Sequence, residues 1–291
     1  MDSVKDYLIE RKKIIDNHIK SMFERIHIND IDKMGEVIKY ALFSGGKRIR
    51  PILAIAIYEV KRKDVERILA AACCVELLHT ASLMLDDLPS MDNAKLRRGK
   101  PSPYVIFGES TTILSAISLA AKAFEILSAE LEKLKVRRNV AITLIEMTAK
   151  LVGMEGATGG QFLDLYKKKI SKDDVIDIYI KKTSSLFYLS ALLGSELAGY
   201  TYDERSSALT FAKHFGLLFQ LVDDIRDINE DKRINIVKIC GLHRAIEMME
   251  EEKNNCLREL NYIEGDTTKL KELTEYIFEE GRKCCLKISK K

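Results

Sequence analysis

Apolar residues recur at the helical period from one end of this chain to the other, and no stretch alternates convincingly as a strand does. Helices must then bury their apolar stripes against other helices, so the expected fold is all-α, a single large helical bundle. Only four prolines occur, three of them at Pro89, Pro101 and Pro103, and no Gly/Ser linker or low-complexity segment divides the sequence. Breaks fall near residues 44–46, 61–64, 93–108, 153–160, 200–203, 229–234 and 265–266. They partition the chain into about ten helices in one domain covering residues 1–291. The N-terminus is charged throughout, and Val4, Leu8, Ile15, Ile19 and Met22 make one stripe; it reads as an amphipathic helix, not a secretory signal. With 46% hydrophobic residues a substantial core is available, and a net charge of +3 gives no reason to expect nucleic acid as a partner. No uninterrupted apolar run is long enough to cross a bilayer, so no transmembrane segment is expected. Six cysteines lack the C-x-x-C spacing of a zinc site and read as thiols of a reducing, cytoplasmic setting.

Two aspartate clusters interrupt the apolar pattern. The first is Asp86-Asp87-Leu88-Pro89-Ser90-Met91-Asp92, and the second is Asp223-Asp224-Ile225-Arg226-Asp227. Acids ending an apolar helical run are costly unless a cation neutralises them, which suggests one site for several divalent metals. In the first cluster His79, Ser82 and Asp86 are spaced i, i+3, i+7 and share a helix face. A continued helix would put Asp92 about 120° from Asp86. Pro89 disfavours that continuation, and a local bulge there swings Asp92 back towards the pair. In the second cluster Asp223 and Asp227 are i, i+4, about 6 Å apart along the axis, with Gln220 near the same face. The ordinary alternative is a solvated helix end, but acids at a helix C-terminus oppose the macrodipole. Magnesium, a hard cation, takes such carboxylates together with substrate phosphate.

Basic loops supply the complementary chemistry. Arg97-Arg98-Gly99-Lys100 follows the first acids, and arginine forks match phosphate oxygens. Ser44-Gly45-Gly46-Lys47-Arg48-Ile49-Arg50-Pro51 opens a helix, with Lys47 and Arg50 as candidate anion contacts. Each alone is weak evidence, since a short basic run is usually solvated surface.

Taken together, GGKRIRP, LLHTASLMLDDLPSMD, LRRGKPS, GGQFLDL, KKTSSLF and LFQLVDDIRD occur in order and at the spacing of the trans-isoprenyl diphosphate synthases, the polyprenyl synthetase family, which this chain resembles over nearly its whole length. The resemblance implies helices around a deep cavity and head-to-tail condensation of isopentenyl diphosphate with an allylic diphosphate, using three magnesium ions. It implies metal sites at Asp86, Asp87 and Asp92 and at Asp223, Asp224 and Asp227. It places Arg97, Lys182 and Gln220 on the allylic diphosphate with Thr183 beside it. Lys47, Arg50, His79 and Arg98 hold isopentenyl diphosphate, with Phe219 packing nearby. Asp86, Asp87, Asp223, Lys182 and Arg97 are the residues expected to carry catalysis, and a homodimer is the expected assembly.

Product length should follow from what lies beneath the first acids. Ala81 and Ser82, five and four residues before Asp86, are small where family members with shorter products often carry an aromatic ring. Small side chains leave room for a longer tail, so geranylgeranyl diphosphate is expected, with farnesyl diphosphate second. Leu78, Ser115 and Leu119 are candidate floors. One segment departs from the family: Asp227 is followed by INEDKRINIVKICG, over ten residues shorter than the usual loop, and only Lys232 or Arg233 stands in for its lysine. Weaker closure of the site is expected there. Two other readings compete. A class I terpene cyclase normally has a different second metal motif and lacks the basic isopentenyl site. A weakly active regulatory subunit is favoured by the short loop and opposed by the intact aspartates.

Overall fold

The computed structural model describes residues 2–24, 32–167, 171–229 and 234–288. The fold is all-α, as expected, with one minimal hairpin. Two compact units emerge, each assembled from separated segments of chain.

The first unit takes Tyr7–Ile52 and Glu66–Ile145. It holds most of α1 (Asp2–Glu24), α2 (Asp32–Phe43), the start of α3 (Ile49–Glu59) and α4 (Glu66–Asp86). The hairpin β1 (Leu96–Arg97) and β2 (Lys100–Pro101), α5 (Pro103–Phe107), α6 (Glu109–Lys133) and the start of α7 (Arg138–Val152) complete it. Helix α4 is its centre. Its residues from Ile68 to Leu78 are all buried, because the helix is apolar on every side. A helix of that kind is stable only when wrapped, and truncating one such leucine costs about 2–5 kcal/mol. By length and composition α4 and α6 could each cross a membrane, although polar residues interrupt the apolar run of both. In α4 78% of that apolar window is buried within the protein, against 33% in α6.

The second unit takes Met1–Asp6, Leu53–Val65 and Glu146–Lys291. It contains α8 (Ala157–Tyr166), α9 (Lys172–Tyr179), a π-helical turn Ile180–Ser184 and α10 (Ser185–Ala198). Then come α11 (Tyr202–Arg226), α12 (Ile236–Cys240), α13 (Leu242–Glu259), a 3₁₀ turn Leu260–Tyr262 and α14 (Thr268–Ile288). Local chemistry starts two of these helices. Ser171 and Asp174 form a capping box at α9, and Thr201 and Glu204 form one at α11. Long α11 is the spine of the unit, burying Phe211, Phe215, Leu218 and Leu221 along one side.

The described residues form fourteen α-helices, more than the ten expected. Gly108 and Gly241, with φ of 85° and 83°, split off the short α5 and α12 from the helices that follow. All six cysteines are free thiols.

Candidate active site

In the first unit α4 stops at Asp86 and the chain doubles back. The Asp92 amide donates to the Asp86 carbonyl at 2.9 Å, and the Ala94 amide donates to the Asp87 carbonyl at 3.1 Å. Pro89 sits in the turn, so the reversal expected from it is the one observed. Asp86 is half-buried and Asp92 exposed, whereas Asp87 is 1% exposed. Arg97 Nε donates to Asp87 Oδ1 at 2.9 Å, and Arg97 Nη2 donates to the same oxygen. Burial alone would push the Arg97 pKa down; the hydrogen bond and charge of Asp87 more than offset it. The other Asp87 oxygen, Oδ2, is buried with no hydrogen-bond partner among the described residues. An unsatisfied carboxylate oxygen costs at least about 1–3 kcal/mol, so a cation is welcome there.

No group of three acidic, histidine or cysteine side chains closes into a metal cage among the described residues. Magnesium needs none: it keeps several waters and takes one or two carboxylates plus substrate phosphate. Orphaned Asp87 Oδ2, with half-buried Asp86 and exposed Asp92 beside it in the chain, fits that requirement.

The hairpin presents the arginine pair. Arg97 pairs with Lys100, leaving Arg98-Gly99 as a two-residue turn with φ of 55° and 76°. Positive φ at both central positions is the type I′ signature, and glycine makes the second cheap. Tyr40 of α2 anchors the hairpin by donating to the Pro101 carbonyl at 2.8 Å. Arg98 folds across the glycine loop, where Nη1 donates to the Gly45 carbonyl. Arg50 Nη1 lies 3.2 Å from His79 Nε2. A guanidinium only donates, so Nε2 accepts and the ring is neutral. Burial, then Arg50, Arg98, Arg97 and Arg48, hold the His79 pKa well below its ordinary value. Lys47 is exposed at the rim. The structure thus gathers Arg50, His79 and Arg98 around one strongly positive spot, with Lys47 next to it in the chain.

On α4 the shared face of His79, Ser82 and Asp86 is part-exposed, and Ser82 Oγ donates to the His79 carbonyl at 2.9 Å. Leu78 and Ala81 are packed inside at 4% and 3% exposure, as are Ser115 and Leu119 of α6. Ser82, not Ala81, is the residue on the open side.

In the second unit the π turn carries Lys182 and Thr183. It fits between two glycines: a Cβ on Gly160 of α8 would lie 2.7 Å from Lys182 Cα, and one on Gly216 of α11 would lie 2.7 Å from Ser184 Cα. Lys182 Nζ donates to Asp164. Thr183 Oγ1 donates to Gln220 Oε1 at 2.7 Å, and Gln220 Nε2 donates to Asp224 Oδ1 at 3.0 Å. Phe219 packs against Phe187 with the rings tilted by 51° and their centroids 5.4 Å apart.

Asp224, expected among the metal ligands, is enclosed by the fold. It is 1% exposed. Its Oδ2 accepts from the Tyr179 hydroxyl and from the Ile236 amide at 2.8 Å, and Asn235 Nδ2 donates to its carbonyl at 2.9 Å. Burial and then the Asp224 charge raise the Tyr179 pKa, keeping the phenol a donor. These bonds commit Asp224 to joining α9, α11 and α12. Asp223 and Asp227 are part-exposed, and Asp223 pairs with Arg226 at 2.7 Å.

Three further residues of the second unit stand out. Tyr179 holds Asp224 and Asp164 holds Lys182. Gln161 is buried with neither amide atom hydrogen-bonded among the described residues. Gln161 and Asp164 stand i, i+3 on α8, within the GGQFLDL motif, which was the available signal. Lys232 and Arg233, the loop cations, lie outside the described residues.

The chain is similar to several known prenyl diphosphate synthases. Among relatives, geranylgeranyl pyrophosphate synthase 4 of Arabidopsis thaliana is 35% identical over 293 aligned residues, covering 94% of this chain and 77% of the relative. A geranylgeranyl diphosphate synthase of Cyanophora paradoxa is 37% identical, covering 76% of this chain and 73% of the relative. Among solved structures, an FPP/GFPP synthase from Zymomonas mobilis superposes with a TM-score of 0.87 at 28% identity, over 94% of this chain and 99% of the other. A geranyltransferase from Legionella pneumophila gives the same TM-score and identity over 96% and 98%. The polyprenyl synthetase profile matches residues 31–241, and the chain belongs to the polyprenyl synthetase family.

Proposed function

We propose that this protein condenses isopentenyl diphosphate with allylic diphosphates and releases geranylgeranyl diphosphate. Family and relatives make it a short-chain trans-prenyltransferase. The observation that carries the reading is the pairing of two anion-binding chemistries in the first unit. Asp86, Asp87 and Asp92 suit a metal-bridged diphosphate, and the cluster of Arg50, His79 and Arg98 beside Lys47 suits a diphosphate held without metal. A cyclase needs only the first.

Asp86, Asp92, Asp223 and Asp227 would hold magnesium, with Asp87 Oδ2 adding a donor. Magnesium held there would supply positive charge to offset that developing on the departing diphosphate. In the second unit Lys182 would exchange its Asp164 partner for a diphosphate, and in the first unit Arg97, steadied by Asp87, offers a cation of its own. The basic pocket fixes isopentenyl diphosphate so that its double bond attacks the allylic C1 as the C1–O bond breaks. One proton then leaves the condensed product; among the described residues no side chain is placed as its dedicated base, and the released diphosphate accepts it. Apolar walls exclude water that would quench the cation.

Names of the relatives and small Ser82 support a twenty-carbon product, with farnesyl diphosphate as the alternative. A homodimer belongs to the same proposal. It is supported by α6, where Leu114 and Ile117 stand 55% and 57% exposed on a helix that is apolar overall. The free thiols support the proposed cytoplasmic setting. Supplying farnesyl diphosphate with and without isopentenyl diphosphate tests the reading: elongation that requires both supports it, and a cyclised hydrocarbon from farnesyl diphosphate alone overturns it.

A further inference from the structure

The loop bearing Lys47 and Arg50 has a buried arginine between them. Arg48 is 3% exposed and adopts a left-handed φ of 55°, a conformation that side-chain-bearing residues seldom take. Its guanidinium uses all three nitrogens. Nε donates to Asp16 of α1 at 2.8 Å, Nη1 donates to Glu76 of α4 at 2.6 Å, and Nη2 donates to the Leu42 carbonyl at the end of α2. Glu76 is itself 2% exposed. Burial alone would lower the Arg48 pKa, and Glu76 and Asp16 raise it above its ordinary value. The fork is therefore charged and fully engaged, with three elements meeting on one side chain.

Its position relates it to the basic pocket. Glu76 and His79 are i, i+3 on α4, so the residue that grips Arg48 lies one turn from the ring that Arg50 touches. Lys47 directly precedes Arg48, and Arg50 follows two residues later at the start of α3. We propose that Arg48 is a positioning residue for the isopentenyl diphosphate pocket, clamping the loop to Glu76 and to Asp16 of the N-terminal helix so that Lys47, Arg50 and His79 stay in register. Asp16, on a helix that carries none of the proposed substrate contacts, thereby becomes a determinant of isopentenyl diphosphate affinity. This inference rests on the proposed function for the identity of the ligand, and on the geometry alone for the anion pocket.

The test compares Asp16→Asn, Arg48→Lys and Arg48→Met in the full chain. Misplacing binding groups by a fraction of an ångström is expected to raise the KM for isopentenyl diphosphate about tenfold, with kcat and the allylic KM within about twofold. Asp16 has a side chain 25% exposed, so Asp16→Asn keeps the question answerable if Arg48→Met does not fold. A lowered melting temperature with an unchanged isopentenyl KM in folded Asp16→Asn would overturn the proposal, because the clamp would then serve the fold alone. Calorimetric binding of inorganic diphosphate without magnesium separates the two levels. Wild-type protein that binds diphosphate about tenfold more tightly than Asp16→Asn yet consumes no isopentenyl diphosphate supports the clamp and sinks the functional reading. Equal diphosphate affinity in the two proteins sinks the clamp.

Discussion

Replacing Asp224 by alanine should damage the fold, and replacing its neighbour Asp223 should damage only the chemistry. The Asp224 carboxylate receives the Tyr179 hydroxyl, the Ile236 amide and Gln220 Nε2. Truncation leaves the Tyr179 hydroxyl as a buried donor and Gln220 Nε2 as a part-buried one, while the Ile236 amide keeps the Tyr179 oxygen at 3.2 Å. Each buried donor left unpaired costs about 1–3 kcal/mol, and losing the charged acceptor from such a network brings the total to about 3–5 kcal/mol. That is a large share of the roughly 5–15 kcal/mol by which folded proteins exceed their unfolded chains. Asp223, part-exposed with an i, i+3 partner in Arg226, should cost under about 1 kcal/mol when truncated. Urea titration followed by circular dichroism measures both, and magnesium-dependent turnover is read well below each transition. Asp223→Ala should keep its midpoint and lose activity. Asp224→Ala should lose its midpoint first. A wild-type midpoint in Asp224→Ala together with a raised magnesium requirement would refute the reasoning and restore Asp224 as a ligand.

Other outcomes follow from the same geometry. Ser82→Phe, on the open face of α4, should shorten the product to fifteen carbons, while Ala81→Phe, forced into a packed interior, should cost about 1–3 kcal/mol or more; product sizing and thermal melts distinguish them. Glu204 caps α11 and takes Lys61 at 2.6 Å, and its folded pKa is lowered to about 2 from 4.5; burial opposes the shift, and Lys61 and Thr201 cause it. Its contribution to stability is therefore complete above pH 4.5 and lost as pH falls towards 2, so the stability gap between wild type and Glu204→Gln should close across that window. In Gly216→Ala the new Cβ would meet Ser184, so the π turn must shift; kcat should fall more than tenfold with a loss of about 1–3 kcal/mol, seen in turnover and in melts.

What the sequence disclosed was what depends on near neighbours. The all-round apolar run of α4, the shared face of His79, Ser82 and Asp86, and the return of Asp92 after Pro89 are local, and periodicity and backbone chemistry reveal them. The split at Gly108 was local too, yet a five-residue helix is too short to show a period. The hidden features join distant residues. Asp224 is buried by Tyr179, 45 positions away, and Arg48 by Asp16 and Glu76, 32 and 28 positions away. In sequence Asp224 is indistinguishable from Asp223, and Arg48 from Arg50. Only packing decides which member of each pair faces outward and which is consumed by the fold. The π turn was likewise invisible, since the room it fills is left by two glycines on different helices.

The central claim is that two acidic clusters and a metal-free basic pocket serve one condensation. It is tested most directly by incubating the protein with magnesium, labelled isopentenyl diphosphate and, in turn, dimethylallyl, geranyl and farnesyl diphosphate, and sizing the products. The account predicts elongation of every primer, ending at twenty carbons, abolished by a chelator. No elongated product from any primer would contradict it.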